Sequence, residues 1–550
     1  MDVRLTTERL LLRPFTASPA DVDLLVDLDS DPEVMRFLTG GVPTPRAEVA
    51  ERVLPRMLAV GERRPGYGFW AAHERDGGAF AGWFTLRPHH ERGTSDVELG
   101  YRLRRAVWGR GYATEMGRAL LREAFEVLGT PRVYAETMAV NVRSRRVLAR
   151  LGLRFVRTFH FDWPHPIAGA EHGEVEYALT RADRAGAEAL VRELRAGGDL
   201  PAQWADALRA TPRGHFLPDR VWVDEGPPRG PVHCVAVDRA EDPARWAGAV
   251  YTNRVVVTQY DDGATEWPAV GRRATCSSSM PEVMVGMLAA LDVRPEHHVL
   301  EIGTGTGFNA ALLAARARRV TTVEVDAGIA EQARATLAGH LGVTVVHGDG
   351  TAGWPASAPY QRVIATAGVP LGGLPYAWVA QAEPGAVIVA PVRADLAAGP
   401  LVRFVVAADG TATGRVLPMR VAFMELRGHR VALPDDESVT GAAPPEATGL
   451  DPWAVLQDEA ARWAVAVALP RCSFDLREPR GARLVDPGSG SWALVLPADA
   501  GFEVRQHGPR RLWDELVTAY DWWLAAGRPA MDDWTLHVTP TAQTATVGPS

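Results

Sequence analysis

Two glycine-rich turns, each leading into a helix-like run, carry the chemistry legible in this sequence. In VLEIGTGTGFN, residues 299–309, an apolar strand-like run ends in Gly303, Thr304, Gly305 and Gly307, and 17 residues beyond Gly307 the run VTTVEVD carries Glu324. Glycines let a backbone approach a ligand closely, and an acid ending the next strand takes ribose hydroxyls, so this is a nucleotide-binding layout. The Gly-x-Gly-x-Gly spacing departs from the dinucleotide fingerprint. Glu301 stands just before the glycines, and Asp349 and Gly350 follow in HGDG, 25 residues after Glu324. A carboxylate attracts a sulfonium cation and repels a pyrophosphate, so the set points to S-adenosyl-L-methionine and away from a nicotinamide cofactor. Asp349 is expected to face the adenine amino group, with a turn-forming Asp-Gly as the structural alternative.

The second turn lies in VELGYRLRRAVWGRGYATEMGRALLREAFEVLG, residues 97–129, which reads as strand, glycine turn and helix. Gly109 and Gly111 permit conformations that expose several N–H groups at a helix start, where the positive end of the dipole favours an anion such as a pyrophosphate. A glycine turn before a helix is also an ordinary structural device, so the surroundings must decide.

Rigid strands are needed to hold these residues. Apolar β-branched runs at 299–302, 320–325, 343–347 and 362–366, separated by helix-compatible sequence, predict a parallel sheet with crossover helices. The first segment, about 1–182, alternates strand-like and helix-like stretches, and a helix-like run at 185–198 stops at Gly197 and Gly198. The Pro/Gly-rich passage 433–452 reads as a long loop or linker. Beyond it, 453–536 mixes short strand runs with a helix candidate, RRLWDELVTAYDWWLAAG. Its Trp513, Tyr520 and Trp523 stripe is expected in a core, with a peptide-binding groove as the alternative. The expected divisions are 1–182, 186–432 and a C-terminal extension, 453–550.

A length of 550 residues suits several domains, because single cores rarely grow past roughly 250 to 300 residues. Apolar residues at 47% and charged residues at 23% are ordinary for a soluble globular chain and argue against disorder. The net charge of −8 supplies no bulk positive field, so neither nucleic acid nor a membrane surface is an expected partner. Cys234, Cys276 and Cys472 are too widely spaced for a disulfide framework or a zinc set, and no metal is expected. The opening MDVRLTTERLLLRPF has too short an apolar run for a signal peptide, and the expected location is cytoplasmic. No oligomeric state is assigned.

The opening TTERLLLRPF, DPEVMRFL, the turn WGRGYATE and NVRSRRVLARLGLRF occur in the order found in the ribosomal-protein branch of the Gcn5-related N-acetyltransferases, which residues 1–182 resemble. The resemblance implies a mixed sheet that splays between two strands, with acetyl-CoA in the gap and its pyrophosphate on the amides of Arg110, Gly111 and Ala113. Asn141 and Ser144 match the family's Asn-x-x-Ser step, which places the asparagine along the pantetheine arm and the serine near the leaving sulfur. Ser144 is then a candidate to protonate the thiolate, while a helix N-cap role suits either residue equally. The acceptor amine must be neutral to attack a thioester, and a lysine with a pKa near ~10.4 must first lose a proton. Glu98, on the strand entering the turn, is the candidate base, directly or through water; a plain surface carboxylate is the alternative.

The segments ALRATPRGHFLPDRVW at 207–222, ATCSSSMPEVMVGML at 274–288 and GDGTAGWPASAPYQRVIATAGVP at 348–370 resemble, in order, those of protein-L-isoaspartate O-methyltransferases. The implied fold class is α/β: an N-terminal GNAT mixed α+β fold, then a Rossmann-like S-adenosylmethionine-dependent methyltransferase with a C-terminal α+β extension. Ser279-Met280-Pro281 aligns with the Ser-x-Pro of the substrate segment. Ser279 is the expected hydroxyl that orients the substrate carboxylate, with Ser277, Ser278 and Pro281 beside it. A serine capping the helix that begins at Pro281 is the other reading. Three departures stand out: a run of three serines replaces a Thr-Ile-Ser step, Phe308 replaces a tyrosine, and Gln361 replaces an aspartate. The long region after residue 453 resembles the branch that modifies ribosomally made peptides, where a methylated aspartate cyclises to aspartimide.

A substrate carboxylate with a pKa near ~4 is already ionised at neutral pH, so methyl transfer needs orientation and not a general base. Three functions are expected to compete. Both halves act on one ribosomal peptide; or the chain is a general repair methyltransferase with an independent acetyltransferase; or one half is a non-catalytic binding module. The serine run and the C-terminal extension favour the first.

Overall fold

The computed structural model describes residues 4–162, 166–198, 200–226, 233–394, 399–430, 443–477 and 480–548. The chain packs as two compact units. One comprises Met1–Leu217, Asp242–Asn253 and Thr336–Leu341; the other comprises Pro218–Glu241, Arg254–Ala335 and Gly342–Ser550.

Among its described residues the first unit is built on an 8-stranded sheet, in the order Leu5–Thr6, Leu10–Pro14, Gly68–Glu74, Phe80–His89, Gly93–Leu103, Arg132–Met138, Glu174–Thr180, Arg154–Phe159. All neighbours are antiparallel except Gly93–Leu103 with Arg132–Met138. That parallel pairing is confined to Asp96 with Arg132, Val97 with Val133 and Glu98 with Tyr134. Beyond Glu98 the two strands part. Period-2 alternation sends Val97, Leu99 and Leu103 into a core shared with Met116, Leu120 and Leu121 of the helix Tyr112–Arg122. The opposite face carries Asp96 and Glu98 beside Arg132 and Tyr134.

The helix Arg181–Gly197 follows this sheet, capped by the Thr180 side chain, and ends at Gly198. Buried Asp183 on its first turn accepts from the Tyr251 hydroxyl at 2.7 Å and pairs with His215 at 3.3 Å. The buried Arg213 guanidinium donates to the carbonyls of Val250 and Thr252. These bonds bring residues 183–217 and 242–253 into the first unit.

In the second unit the central sheet runs Val343–His347, Arg319–Glu324, His298–Ile302, Tyr360–Ala365, Ala382–Arg393, Pro400–Val406, Ala412–Arg420, Trp534–Val538, Gln543–Val547. The first five strands are parallel and the rest antiparallel. The β-branched runs expected as strands are strands, within a residue or two at each end. Chain order reverses between His298–Ile302 and Tyr360–Ala365, the switch point at which open α/β sheets bind ligands. A 4-stranded antiparallel sheet, Cys234–Asp238, Arg220–Asp224, Val256–Tyr260, Ala274–Ser278, leads into the helix Pro281–Leu291.

The C-terminal residues complete the same structure. Trp534–Val538 pairs with Ala412–Arg420 and extends the central sheet. A 5-stranded antiparallel sheet and the helices Glu459–Ala468 and Leu512–Ala525 share one apolar core with it, joining Trp378 and Phe404 to Trp463, Trp513 and Trp523. The aromatic helix candidate is a helix, with Trp513 and Trp523 buried and Tyr520 packed against the same core. Of the passage expected as a linker, 433–442 lies outside the described residues, while Glu446–Thr448 is a strand paired with Phe502–Val504. The pairing gives these backbone groups ladder partners despite the local prolines and glycines. Among the described residues no helix is long and apolar enough to cross a membrane.

Candidate active sites

The first site is the gap where the sheet of the first unit parts. Gly109 and Gly111 have φ of +78° and +81°, and Gly111 is the left-handed N-cap of Tyr112–Arg122, so the amides around Arg110 and Ala113 open the helix. Two side chains fix this turn: Trp108 Nε1 donates to the Leu103 carbonyl at 2.9 Å, and Arg9 donates to the Arg110 carbonyl at 2.8 Å. A cavity of about 1120 Å³ that begins at Gly111 runs along the helix, lined by Arg9, Arg118, Arg122 and Arg150 beside Glu115 and Glu123; Glu98, Tyr101, Asn141 and Ser144 do not line it, so it is separate from the gap.

Asn141 caps the helix Val142–Arg150. Its Oδ1 accepts from the Ser144 amide at 3.3 Å, and its Nδ2 donates to Thr137 at 3.1 Å. The Ser144 hydroxyl lies 3.2 Å from that of Tyr101, a partner the sequence reading missed, because Tyr101 falls on the apolar alternation of its strand and reads as core. Burial pushes the Tyr101 phenol up to about 12, against a lowering by Ser144, so it stays protonated at neutral pH. Glu98 lies on the opposite face, at the last rung before the gap, where Arg87 Nε donates to it at 3.0 Å. Two hydroxyls thus stand on one face of the sheet and a carboxylate on the other.

The second site is the switch point of the parallel sheet. Gly303, Gly305 and Gly307 all have positive φ, +91°, +52° and +86°. Gly307 N-caps Phe308–Ala314. A Cβ on Gly303 would stand 2.7 Å from Thr366 Oγ1, which donates to the Gly303 carbonyl at 2.5 Å. The Gly305 amide donates to Glu324 at 2.9 Å, and the Asp326 amide donates to the other Glu324 oxygen at 3.1 Å. Thr304 bonds Thr322 at 2.6 Å. The loop is therefore held from the strand that carries the acid.

Glu301 is fully buried beneath this loop, where it accepts from Asn309 at 2.7 Å and Thr322 at 2.6 Å. Burial pushes its carboxyl up to about 7, against the lowering by those donors. It does not line the cavity that opens above. That cavity, about 460 Å³, is lined by Gly303–Thr306, Glu324, Asp349, Gly350, the serines 277–279 and the stretch 420–428. Asp349 caps the turn Gly350–Ala352 through the Thr351 amide at 2.9 Å, so it makes the Asp-Gly turn and faces the cavity together. A Cβ on Gly350 would lie 2.5 Å from Ile302 Cγ2, which demands glycine for packing.

On the substrate side, Ser278 is buried at the end of its strand, and Ser277 and Ser279 are half-buried. Pro281 opens the next helix, whose N-cap position is Met280 and not Ser279. The far wall comes from Arg420, Phe423, Met424 and Arg427, which no motif announced. Arg427 is fixed there by Asp326 at 3.1 Å and Gln259 at 3.0 Å. Burial pushes the Cys276 thiol in the cavity wall up to about 12, so it stays protonated and is a poor methyl acceptor.

The residues present fit both expected groups: an amide-lined glycine cap beside a parted sheet for acetyl-CoA, and a glycine cradle with an acid at a switch point for S-adenosylmethionine. Comparison with known proteins agrees. Residues 9–154 match the acetyltransferase (GNAT) domain model, and residues 236–430 match that of protein-L-isoaspartate(D-aspartate) O-methyltransferase. The chain is 38% identical over 165 residues to the FsC-acetyl coenzyme A-N(2)-transacetylase of Aspergillus fumigatus, covering 29% of this chain and 69% of that protein. It is 39% identical over 161 residues to a protein-L-isoaspartate O-methyltransferase of Trichlorobacter lovleyi, covering 29% and 70%. A solved protein-L-isoaspartate O-methyltransferase aligns with a TM-score of 0.40 at 20% identity, covering 66% of this chain and 99% of that one.

Proposed function

This chain belongs to the GNAT acetyltransferases through residues 9–154 and to the protein-L-isoaspartate O-methyltransferases through residues 236–430, and from that premise we propose a bifunctional cytoplasmic transferase. One site acetylates an amine from acetyl-CoA. The other methylates an aspartyl or isoaspartyl carboxylate of a protein or ribosomally made peptide. The observation that carries the methyltransferase assignment is the cavity at the switch point, where Glu324 and the Gly303–Gly305 loop form one bonded unit. The functional divisions are 1–182, 186–432 and 453–550.

In the acetyltransferase site the amides around Gly111 hold the pyrophosphate, Asn141 lines the pantetheine path, and Ser144, backed by the protonated Tyr101, gives the leaving thiolate its proton. Glu98 stands at the acceptor's side of the gap. In the methyltransferase site the bound cofactor supplies an electrophilic methyl group. Glu324 accepts from the ribose hydroxyls, Asp349 meets the adenine, and Ser279 orients the carboxylate. Arg420, paired with Glu459, and Arg427, paired with Asp326, stand in the wall of this mouth beside Glu324, Asp349 and Glu425.

Maturation of a ribosomal peptide is supported by the serine run and by the C-terminal residues that complete the methyltransferase core. Repair of isoaspartate is supported by the relatives, which are named protein-L-isoaspartate O-methyltransferases. Calorimetric titration of both donors into the full chain tests the two-site reading: one site for each is expected, and failure of either donor to bind overturns the corresponding half.

A further inference from the structure

On the acceptor face, Glu98 is the last residue of its strand paired across to Arg132–Met138, with Tyr134 as its partner. Two residues further along that second strand is Glu136. Continuing the register would set Glu136 opposite Gly100, the position with no side chain to fill the space between the lips. A Cβ at residue 100 would lie 2.9 Å from Cγ2 of Thr85, its partner on the neighbouring strand, so packing beside the strand also keeps this position bare.

The carboxylates on this face are differently engaged. Glu98 receives Arg87 Nε and Nη2 on the same oxygen, an ion pair within the sheet. Asp96 and Glu176 are both bound by Arg132. Glu136 is exposed and makes no hydrogen bond or ion pair among the described residues. Its donor-side counterpart is Ser144, on the other face of the gap with Tyr101.

We propose that Glu136 is the catalytic base of acetyl transfer, taking a proton from an acceptor that enters this face as an ammonium ion, and that Glu98 is a positioning residue that draws the ammonium to the gap. This rests on the acetyltransferase reading above. One N–H proton passes to Glu136, and the freed nitrogen pair attacks the thioester carbonyl carbon. The carbon–sulfur bond breaks, sulfur takes a proton from Ser144, and the nitrogen gives up its second proton to water. Ser144 is reprotonated from solvent, so one proton is released overall. The electrostatics suit a base: desolvation of the part of the side chain that lies against the sheet comes first, then the charges of Glu98 and Glu176, and with Glu174 they raise the Glu136 pKa above the ordinary glutamate value against a lowering by the Arg157 guanidinium.

The test uses the full chain with acetyl-CoA and 2-phenylethylamine as a primary-amine probe, following CoA release across pH, together with release to water alone. Glu136→Gln should lower both rates about 100-fold near neutral pH, with the deficit to the amine shrinking as pH approaches the amine's own pKa. Separately, the carbon-13 carboxyl signal of Glu136 should titrate above the ordinary range and move down in Glu98→Gln. Unchanged rates and pH profile in Glu136→Gln, or a Glu136 midpoint in the ordinary range and indifferent to Glu98, overturn the proposal. If wild-type CoA release is undetectable, the carboxyl titration alone decides it. Failure of the wild type to bind acetyl-CoA would instead sink the underlying acetyltransferase reading.

Discussion

The hydroxyls of Tyr101 and Ser144 stand 3.2 Å apart, one on the strand that enters the glycine turn and the other on the helix that Asn141 caps. The pair links the two sides of the parted sheet, and Asn141 also holds Thr137 on the second strand. A buried phenol that keeps its proton to about 12 can only donate or accept a hydrogen bond at neutral pH, so it orients Ser144 without competing as a nucleophile.

Ser144→Ala should therefore lower kcat for acetyl transfer by about 100-fold, the usual worth of a positioned acid, with little change in acetyl-CoA affinity. Tyr101→Phe should cost less, because it removes the orienting partner and leaves the acid. Steady-state kinetics beside calorimetry separates the two effects; equal loss of affinity and rate would make Ser144 a binding residue.

Gly303→Ala combines an unfavourable backbone at φ +91° with a methyl 2.7 Å from Thr366 Oγ1. The loop must shift, and S-adenosylmethionine affinity should fall at least about tenfold, some 1.4 kcal/mol. Acetyl-CoA titration of the same variant should be unchanged. Retained methyl-donor affinity would remove the loop from the site.

Glu301 gives a pH signature. Its carboxyl goes from 4.5 in a model peptide to about 7 in the fold, so the folded chain holds the extra proton between those values. Stability due to this group is full below pH 4.5 and falls as pH rises to about 7, by at most about 1.4 kcal/mol per pH unit. Thermal melts of wild type and Glu301→Gln between these limits should diverge, with the variant lacking the decline. A bound sulfonium cation should favour the ionised form, so S-adenosylmethionine binding near neutral pH should release protons in buffers of differing ionisation enthalpy.

Much of this arrangement was legible because its signals are local. The β-branched run at 299–302 and the glycines after it need only their own backbone geometry to announce a strand, a turn and a helix start. The burial of Glu301 was not legible, since it comes from Thr322 on a neighbouring strand and Asn309 on the next helix. Tyr101 was hidden by an alternation that looks the same whether a side chain meets apolar neighbours or a serine hydroxyl. The wall at 420–428 has no motif, because its place depends on Asp326 and Gln259. The strand Glu446–Thr448 owes its existence to Phe502–Val504, more than fifty residues away.

The C-terminal residues share the methyltransferase core, and Trp513 tests this. Its side chain is 2% exposed, with Nε1 bonded to Thr448 at 3.1 Å. Trp513→Ala should cost about 3–5 kcal/mol in urea unfolding of the second unit and reduce methyl-donor binding at raised temperature. A variant that melts only its C-terminal residues, with donor binding intact, would show that they fold apart.

The most direct measurement supplies the purified full chain with S-adenosylmethionine and matched peptides bearing aspartate or isoaspartate at one position, and in parallel a short acidic peptide encoded beside the gene. Mass spectrometry follows the gain of one methyl group and then the loss of methanol on ring closure. Transfer to an aspartyl or isoaspartyl carboxylate is expected: to isoaspartate alone if the chain repairs proteins, to aspartate of the encoded peptide if it matures one. Methyl transfer to none of these, or only to another kind of side chain, would overturn the carboxyl methyltransferase reading.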